Sequence, residues 1–176
     1  KDQMQHLEIT RDIASRLNHI FPHSLVLPET KVDEKVMIVP GTDGQKMSKS
    51  YNNEIDIFLS DKKLKKQIMG IQTDSTPLEE PKDAENCNVF KLYKLLASAT
   101  QISEIKKKYE AGNFGYGHAK IELFELIFLK YKAEREKFNY LMENKNMIEL
   151  ELQKGAQKAR VIANEVLGRV RKNIGY

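Results

Sequence analysis

The stretch Pro40-Gly41-Thr42-Asp43-Gly44-Gln45-Lys46-Met47-Ser48-Lys49-Ser50-Tyr51-Asn52-Asn53 sets two lysines three residues apart behind a proline and two glycines. Gly and Pro at that density mark a loop. Within it, Lys46 and Lys49 offer ammonium groups to an anion, and phosphate suits them: lysine is a compact charge on a flexible stem that can follow a phosphate as it moves. Ser48 and Ser50 can add hydroxyl donors, and successive loop amides can add more. The plain alternative is a solvated basic turn.

Upstream, Val36-Met37-Ile38-Val39 is short, apolar and rich in β-branched residues, which predicts a buried strand ending at Pro40. Before it, residues 2–20 predict a helix: Asp2 can cap the first turn with Gln5 as reciprocal partner. Leu7, Ile13, Ala14, Leu17, Ile20 and Phe21 share one face, and Pro22 ends the helix. A helix and then a strand that delivers a glycine-containing loop is the tail of an α/β unit. Ligands in open α/β sheets bind outside the carboxyl ends of strands, where this loop would sit.

Downstream the pattern turns helical and stays so. Ser60 can cap a helix through Met69, and a polar connection with Pro77 and Pro81 runs from Thr73 to Glu85. Helices are predicted from about Asn88 to Ala99, from Ser103 to Tyr109, and from the Gly112–Gly117 turn unbroken to Glu143. A last helix over residues 146–173 carries Ile148, Leu152, Ala159, Ile162, Ala163, Val166 and Val170 on an inner face. Lys154, Lys158, Arg169 and Lys172 lie opposite, either a nucleic-acid surface or a solvated edge. The expected fold is mostly α: a helical bundle domain, residues 61–176, preceded by the C-terminal remnant of an α/β nucleotide-binding (Rossmann-like) domain, residues 1–60.

The 176 residues carry a formal net charge of +4, which permits contact with nucleic acid. The single Cys87 excludes an internal disulfide or a cysteine-cluster metal site, consistent with a reducing compartment. His6, His19, His23 and His118 have no partners at metal or triad spacing, so no metal site is assigned. No apolar run reaches the length of a membrane span. The first residue is Lys1, and neither a signal core nor a presequence follows, so the chain is expected to be a piece lacking an N-terminal part.

Lys46 to Ser50 resembles the Lys-Met-Ser-Lys-Ser motif of class I aminoacyl-tRNA synthetases, and its flanks are similar to the bacterial tryptophanyl branch. Asp2-Gln3-Met4-Gln5-His6-Leu7 is similar to the stretch after the glycine of that branch's Gly-x-Asp-Gln motif. Thr73-Asp74-Ser75, Asn88 to Leu96, and Gly115-Tyr116-Gly117 with Lys120 follow in the family's order. The resemblance implies an enzyme of protein biosynthesis that activates tryptophan with ATP and passes it to tRNA(Trp), with Mg²⁺ on the ATP phosphates, as a cytoplasmic homodimer. Lys46 and Lys49 match the residues that stabilise the leaving pyrophosphate, and Ser48 and Ser50 join them at ATP, with Met47 against the adenine or the loop base. Asp2 matches the carboxylate at the ATP ribose, and Gln3 the residue beside the amino acid. Residues 61–176 match the anticodon-binding helices, where Lys154, Lys158, Arg169 and Lys172 are candidates for tRNA.

The family's other motif, His-x-Gly-His, does not occur here. The chain by itself is therefore expected to be inactive, and its loop mobile or held by incidental anions. A tyrosyl-type synthetase fragment and a non-catalytic helical RNA-binding module remain as alternatives.

Overall fold

The structure, a computed structural model, describes residues 3–31 and 39–176. Regular structure among them is helical: α1 Met4–Ile20, α2 Asp61–Met69, α3 Asn88–Leu96, α4 Ala99–Ala111, α5 Tyr116–Lys130, α6 Lys132–Glu143 and α7 Lys145–Ile174, with one 3-10 turn at Lys49–Tyr51. The mostly helical fold class read from the sequence is the one observed. The capping role assigned to Asp2 lies outside the described residues, as does the predicted strand up to Ile38. Val39 is described and belongs to no strand, and beside it Pro40 forms an isolated antiparallel bridge with Lys46.

The chain divides into two compact units, one of Ile38–Tyr140 and one of Lys1–Met37 with Leu141–Tyr176. In the first, α5 packs on α2 and on α3. The core gathers Leu64 and Ile68 of α2, Val89 and Phe90 of α3, Ile105 and Tyr109 of α4, and Ala119, Leu123 and Ile127 of α5. Each pair recurs at three- or four-residue spacing or adjoins one that does, so one stripe of each of these four helices faces inward. Burying each large member contributes about 1.5–3 kcal/mol. Tyr109 is fully buried, and its hydroxyl lies 3.4 Å from the Cys87 sulfur, which gives the phenol a partner and leaves Cys87 a buried core residue.

Several boundaries differ from the sequence reading. The fourth helix starts at Ala99, not Ser103, because Ser98 and Gln101 form a capping box that satisfies the first-turn amides. The third then ends at Leu96, where Ala97 turns extended. Ser60 precedes α2, but its side chain makes no capping bond. The helix predicted unbroken to Glu143 splits at Tyr131, whose φ of −108° and ψ of 19° leave the helical range without a glycine or proline. Beyond the break, Arg135 of α6 is nearly buried. Its guanidinium donates to the Ile57 carbonyl and to Asp61 at 2.6 Å, joining α6 to the entry of α2.

In the second unit, Asn18 bonds Leu25 in both directions, at 2.7 and 2.9 Å, and Arg11 donates to the Pro28 carbonyl at 2.8 Å. Those bonds fold the segment after α1 back along the helix. Asn173 of α7 donates to the buried Ser24 hydroxyl at 2.8 Å. The predicted inner face of α7 is only partly covered. Ile148, Val166 and Val170 are half-buried, whereas Leu152 and Ile162 are 62% and 66% exposed. Amphipathic spacing makes a face ready to be buried, but no described element of this unit lies over the middle of α7. No helix among the described residues is long and apolar enough to cross a membrane.

Candidate functional site

The lysine-bearing loop is cross-braced by its own backbone and by Asn53. Its two limbs exchange backbone bonds: Gly41 N–H donates to the Gln45 carbonyl at 2.7 Å, Thr42 N–H to Asn53 at 2.8 Å, and Met47 N–H to Val39 at 2.8 Å. Asn53 fills the space between them and is 2% exposed. Its Nδ2 donates to Asp43 Oδ1 at 2.8 Å and to the Lys46 carbonyl at 3.1 Å, while its Oδ1 accepts from Ser48 N–H at 2.8 Å. Both amide hydrogens and the carbonyl are thus used, the condition for burying a primary amide without a large penalty. Gly41 makes room for it, since a Cβ there would stand 2.4 Å from the Asn53 side chain. The Asn53 amide, with help from Gln45 N–H, holds the Asp43 carboxyl below the usual aspartate range.

This loop is seated on the helical core. Gln72 N–H donates to the Thr42 carbonyl at 2.7 Å, and Asn88, at the start of α3, donates to the Gln72 carbonyl at 3.1 Å. Met47 is half-buried against the same core, so its side chain belongs to the loop base. Lys46 and Lys49 are exposed on the outer side. The Ser48 and Ser50 hydroxyls lie 2.7 Å apart, one donating to the other. Beside them an open depression of about 510 Å³ is lined by Met47, Ser48, Lys49, Glu54, Ile55 and Asp56. A side chain from this rim can meet a ligand while the backbone below stays fixed by Asn53.

The connection read from sequence as Thr73 to Glu85 is also tied down. Asp74 accepts from Thr76 N–H at 2.9 Å, closing a local turn, and from the Tyr116 hydroxyl at 2.7 Å. Burial, together with the Asp74 carboxylate, pushes the Tyr116 phenol up to about 12, and the bonds from Thr76 and then Tyr116 hold Asp74 low. Lys82 is 4% exposed, and its ammonium donates to the carbonyls of Pro77, Leu78 and Glu80 at 2.7, 3.1 and 2.9 Å. Burial lowers the pKa of Lys120, whose ammonium donates to the Met69 carbonyl at 3.1 Å.

The remaining sequence candidates stand elsewhere. Gln3 is exposed just before α1 and makes no capping bond, and Asp2 lies outside the described residues. On α7, Lys154 pairs with Glu151 at 2.6 Å, and Arg169 donates to the Ser24 carbonyl at 3.1 Å. Lys158 and Lys172 are exposed. Sequence reasoning did not single out Asn53, Asp43, Asn88, Lys82 or Arg135. Asn53, Asp43 and Asn88 lay within quoted stretches, but nothing in their spacing signalled these contacts.

The profile of the tRNA synthetases class I (W and Y) matches residues 1–131. The chain is 51% identical over 175 residues to the tryptophan–tRNA ligase of Campylobacter jejuni (strain RM1221), covering 99% of this chain and 55% of that protein. It is 49% identical to the tryptophan–tRNA ligase of Fusobacterium nucleatum, covering 99% of this chain and 54% of that one. Among solved structures, the tryptophanyl-tRNA synthetase of Campylobacter jejuni complexed with ADP and tryptophan superposes with a TM-score of 0.88 at 51% identity. That match covers 100% of this chain and 55% of the other. The chain therefore spans about half the length of the curated relatives it matches, and what it matches is their C-terminal portion.

Proposed function

The chain belongs to the class I tRNA synthetases of the tryptophan and tyrosine group, and from that membership we propose that it serves a tryptophan–tRNA ligase, with Lys46 and Lys49 acting on the polyphosphate of MgATP. The observation that carries this is the exposed pair of ammonium groups on a loop whose backbone is held from beneath. In the reaction, the tryptophan carboxylate attacks the α-phosphorus of ATP. The bond from that phosphorus to the bridging oxygen breaks, and pyrophosphate departs with the electron pair. Negative charge grows on the leaving group, so cations beside it stabilise the transition state more than the ground state. At an effective dielectric near 20, one such contact at about 4 Å is worth roughly 4 kcal/mol before desolvation.

In this reading Ser48 and Ser50 donate to phosphate oxygens once ATP separates their mutual hydrogen bond, and Met47 steadies the loop base. Asp2 binds the ATP ribose and Gln3 borders the tryptophan. Mg²⁺ arrives on the triphosphate as part of the substrate. Residues 1–60 complete the catalytic domain and residues 61–176 form the helical part that docks tRNA(Trp). Lys154, Lys158, Arg169 and Lys172 offer its phosphates a basic edge, with Arg169 already engaged at Ser24. The working protein is a cytoplasmic homodimer, and this 176-residue chain alone does not activate tryptophan.

The deciding measurement is ATP–pyrophosphate exchange dependent on tryptophan, made with the chain alone and with the full-length protein carrying it. Lys46→Ala and Lys49→Ala in the latter should each lower exchange on the order of a hundredfold. Unchanged exchange in both variants refutes the assignment, and exchange by the chain alone at the full-length rate refutes its inactivity.

A further inference from the structure

We propose that Asn53 is a positioning residue of the catalytic loop, its side-chain amide setting the backbone from Lys46 to Ser48 and so the direction in which the two lysines leave the loop. The inference rests on the reading of Lys46 and Lys49 given above. Asn53 touches no ligand face: it is 2% exposed, beneath the loop. Its amide reaches the segment at two points on either side of Met47, donating to the Lys46 carbonyl at 3.1 Å and accepting from Ser48 N–H at 2.8 Å. These bonds fix the peptide that follows Lys46 and the one that precedes Ser48. Lys49 comes one residue later, in the 3-10 turn that Ser48 leads. A third bond, to Asp43 at 2.8 Å, stops the amide from turning over.

The arrangement is polar in one sense only. Asp43 accepts from Asn53 and from Gln45 N–H at 3.0 Å, so a carboxylate at position 53 would face another carboxylate and lose its donors. A longer side chain has no room, because Gly41 already approaches to where a Cβ would be 2.4 Å away. Exchanging the two residue types restores a compatible set. An amide at position 43 can accept from Gln45 N–H and donate to a carboxylate at position 53. That carboxylate still accepts from Ser48 N–H, but its other oxygen takes the place of the donor to the Lys46 carbonyl, so the exchange restores the Asp43 and Ser48 contacts and not the Lys46 one.

Tryptophan-dependent ATP–pyrophosphate exchange in the full-length protein tests this, with circular dichroism verifying the helical content of each variant. Asn53→Asp should lower kcat at least tenfold and leave the KM for tryptophan within about twofold. Adding Asp43→Asn to Asn53→Asp should recover part of that loss, since the Ser48 and position-43 contacts return and the Lys46 carbonyl bond does not. Asn53→Ala should cost at least tenfold in the native background but less than threefold when Lys46 and Lys49 are already alanine, since a group that acts through the lysines has nothing left to aim. Native kcat in Asn53→Asp and Asn53→Ala, with Lys49→Ala impaired, overturns the positioning role and leaves the assignment of the lysines intact. An equal loss from Asn53→Ala in both backgrounds, or no recovery in the exchanged pair, also overturns it. If Lys46→Ala and Lys49→Ala are themselves silent, the reading of the loop falls and this proposal falls with it.

Discussion

Gly44 and Asn88 stand so close that a Cβ on the glycine would lie 2.5 Å from the Asn88 Oδ1. The contact joins the tip of the lysine loop to the first residue of α3. Gly44 also has a φ of +81°, which an L side chain adopts with strain. Gly44→Ala should therefore lift the loop from α3 and destabilise the fold by about 1–2 kcal/mol. Hydrogen exchange reports it directly: the Gln72 amide, bonded to the Thr42 carbonyl at 2.7 Å, should lose protection before the amides of α5 do.

Arg135 holds two partners with one planar group, the Ile57 carbonyl and the Asp61 carboxylate. Its guanidinium also lies 5.6 Å from the centre of the Phe128 ring. Lysine keeps the charge but not the fork, so Arg135→Lys should destabilise nearly as much as Arg135→Ala, each on the order of 2 kcal/mol. Thermal unfolding should show both melting about 4–8 °C below the native protein. A lysine variant as stable as the native chain would place the contribution in charge alone.

Lys82 contributes through its donors. Lys82→Met retains most of the stem and removes the ammonium, leaving the Pro77, Leu78 and Glu80 carbonyls without their shared partner. A loss of about 2 kcal/mol is expected. Protease cleavage between residues 74 and 82 should accelerate well before the helical signal changes.

Tyr116 and Asp74 give opposite pH limits to one hydrogen bond. The Tyr116 phenol is pushed up to about 12, so the stability it contributes is complete below the ordinary tyrosine range near 10 and disappears as pH rises through about 12. Asp74 is held low, so its contribution is complete above about pH 4 and is lost as acid protonates the carboxyl below that range. Tyr116→Phe should remove the alkaline step, followed by tyrosinate absorbance, and leave Asp74 its bonds from Thr76. An unchanged alkaline profile in that variant would assign the step to another tyrosine.

Periodicity makes the helices of the core legible because α2, α3 and α5 each have an inward stripe: Leu64 and Ile68, Val89 and Phe90, Leu123 and Ile127 recur as a helix requires. The start of α4 is encoded in Ser98 followed by Gln101, a capping pair that a helix predicted from Ser103 leaves out. The break at Tyr131 carries no such signal, because no breaker residue occupies it. At the site, Lys46 and Lys49 announce themselves by charge and spacing. Asn53 and Lys82 do not, since a polar residue in a loop is ordinarily exposed, and only tertiary contacts decide that these two are enclosed. The coverage of α7 departs from its spacing for a related reason: a stripe such as Leu152 and Ile162 records what a helix can bury, not what lies against it.

The turn around Lys82 works as an ionophore whose guest is covalently attached. Three carbonyl oxygens replace the water around an ammonium that cannot diffuse away. Added electrolyte should loosen the exposed pairs of Lys94 and Lys106 with Glu85, where counter-ions compete freely. It has little purchase on a cation already stripped of its hydration shell. At the ionic strengths used to dissociate nucleic acid from protein, the connection between α2 and α3 should therefore keep its shape.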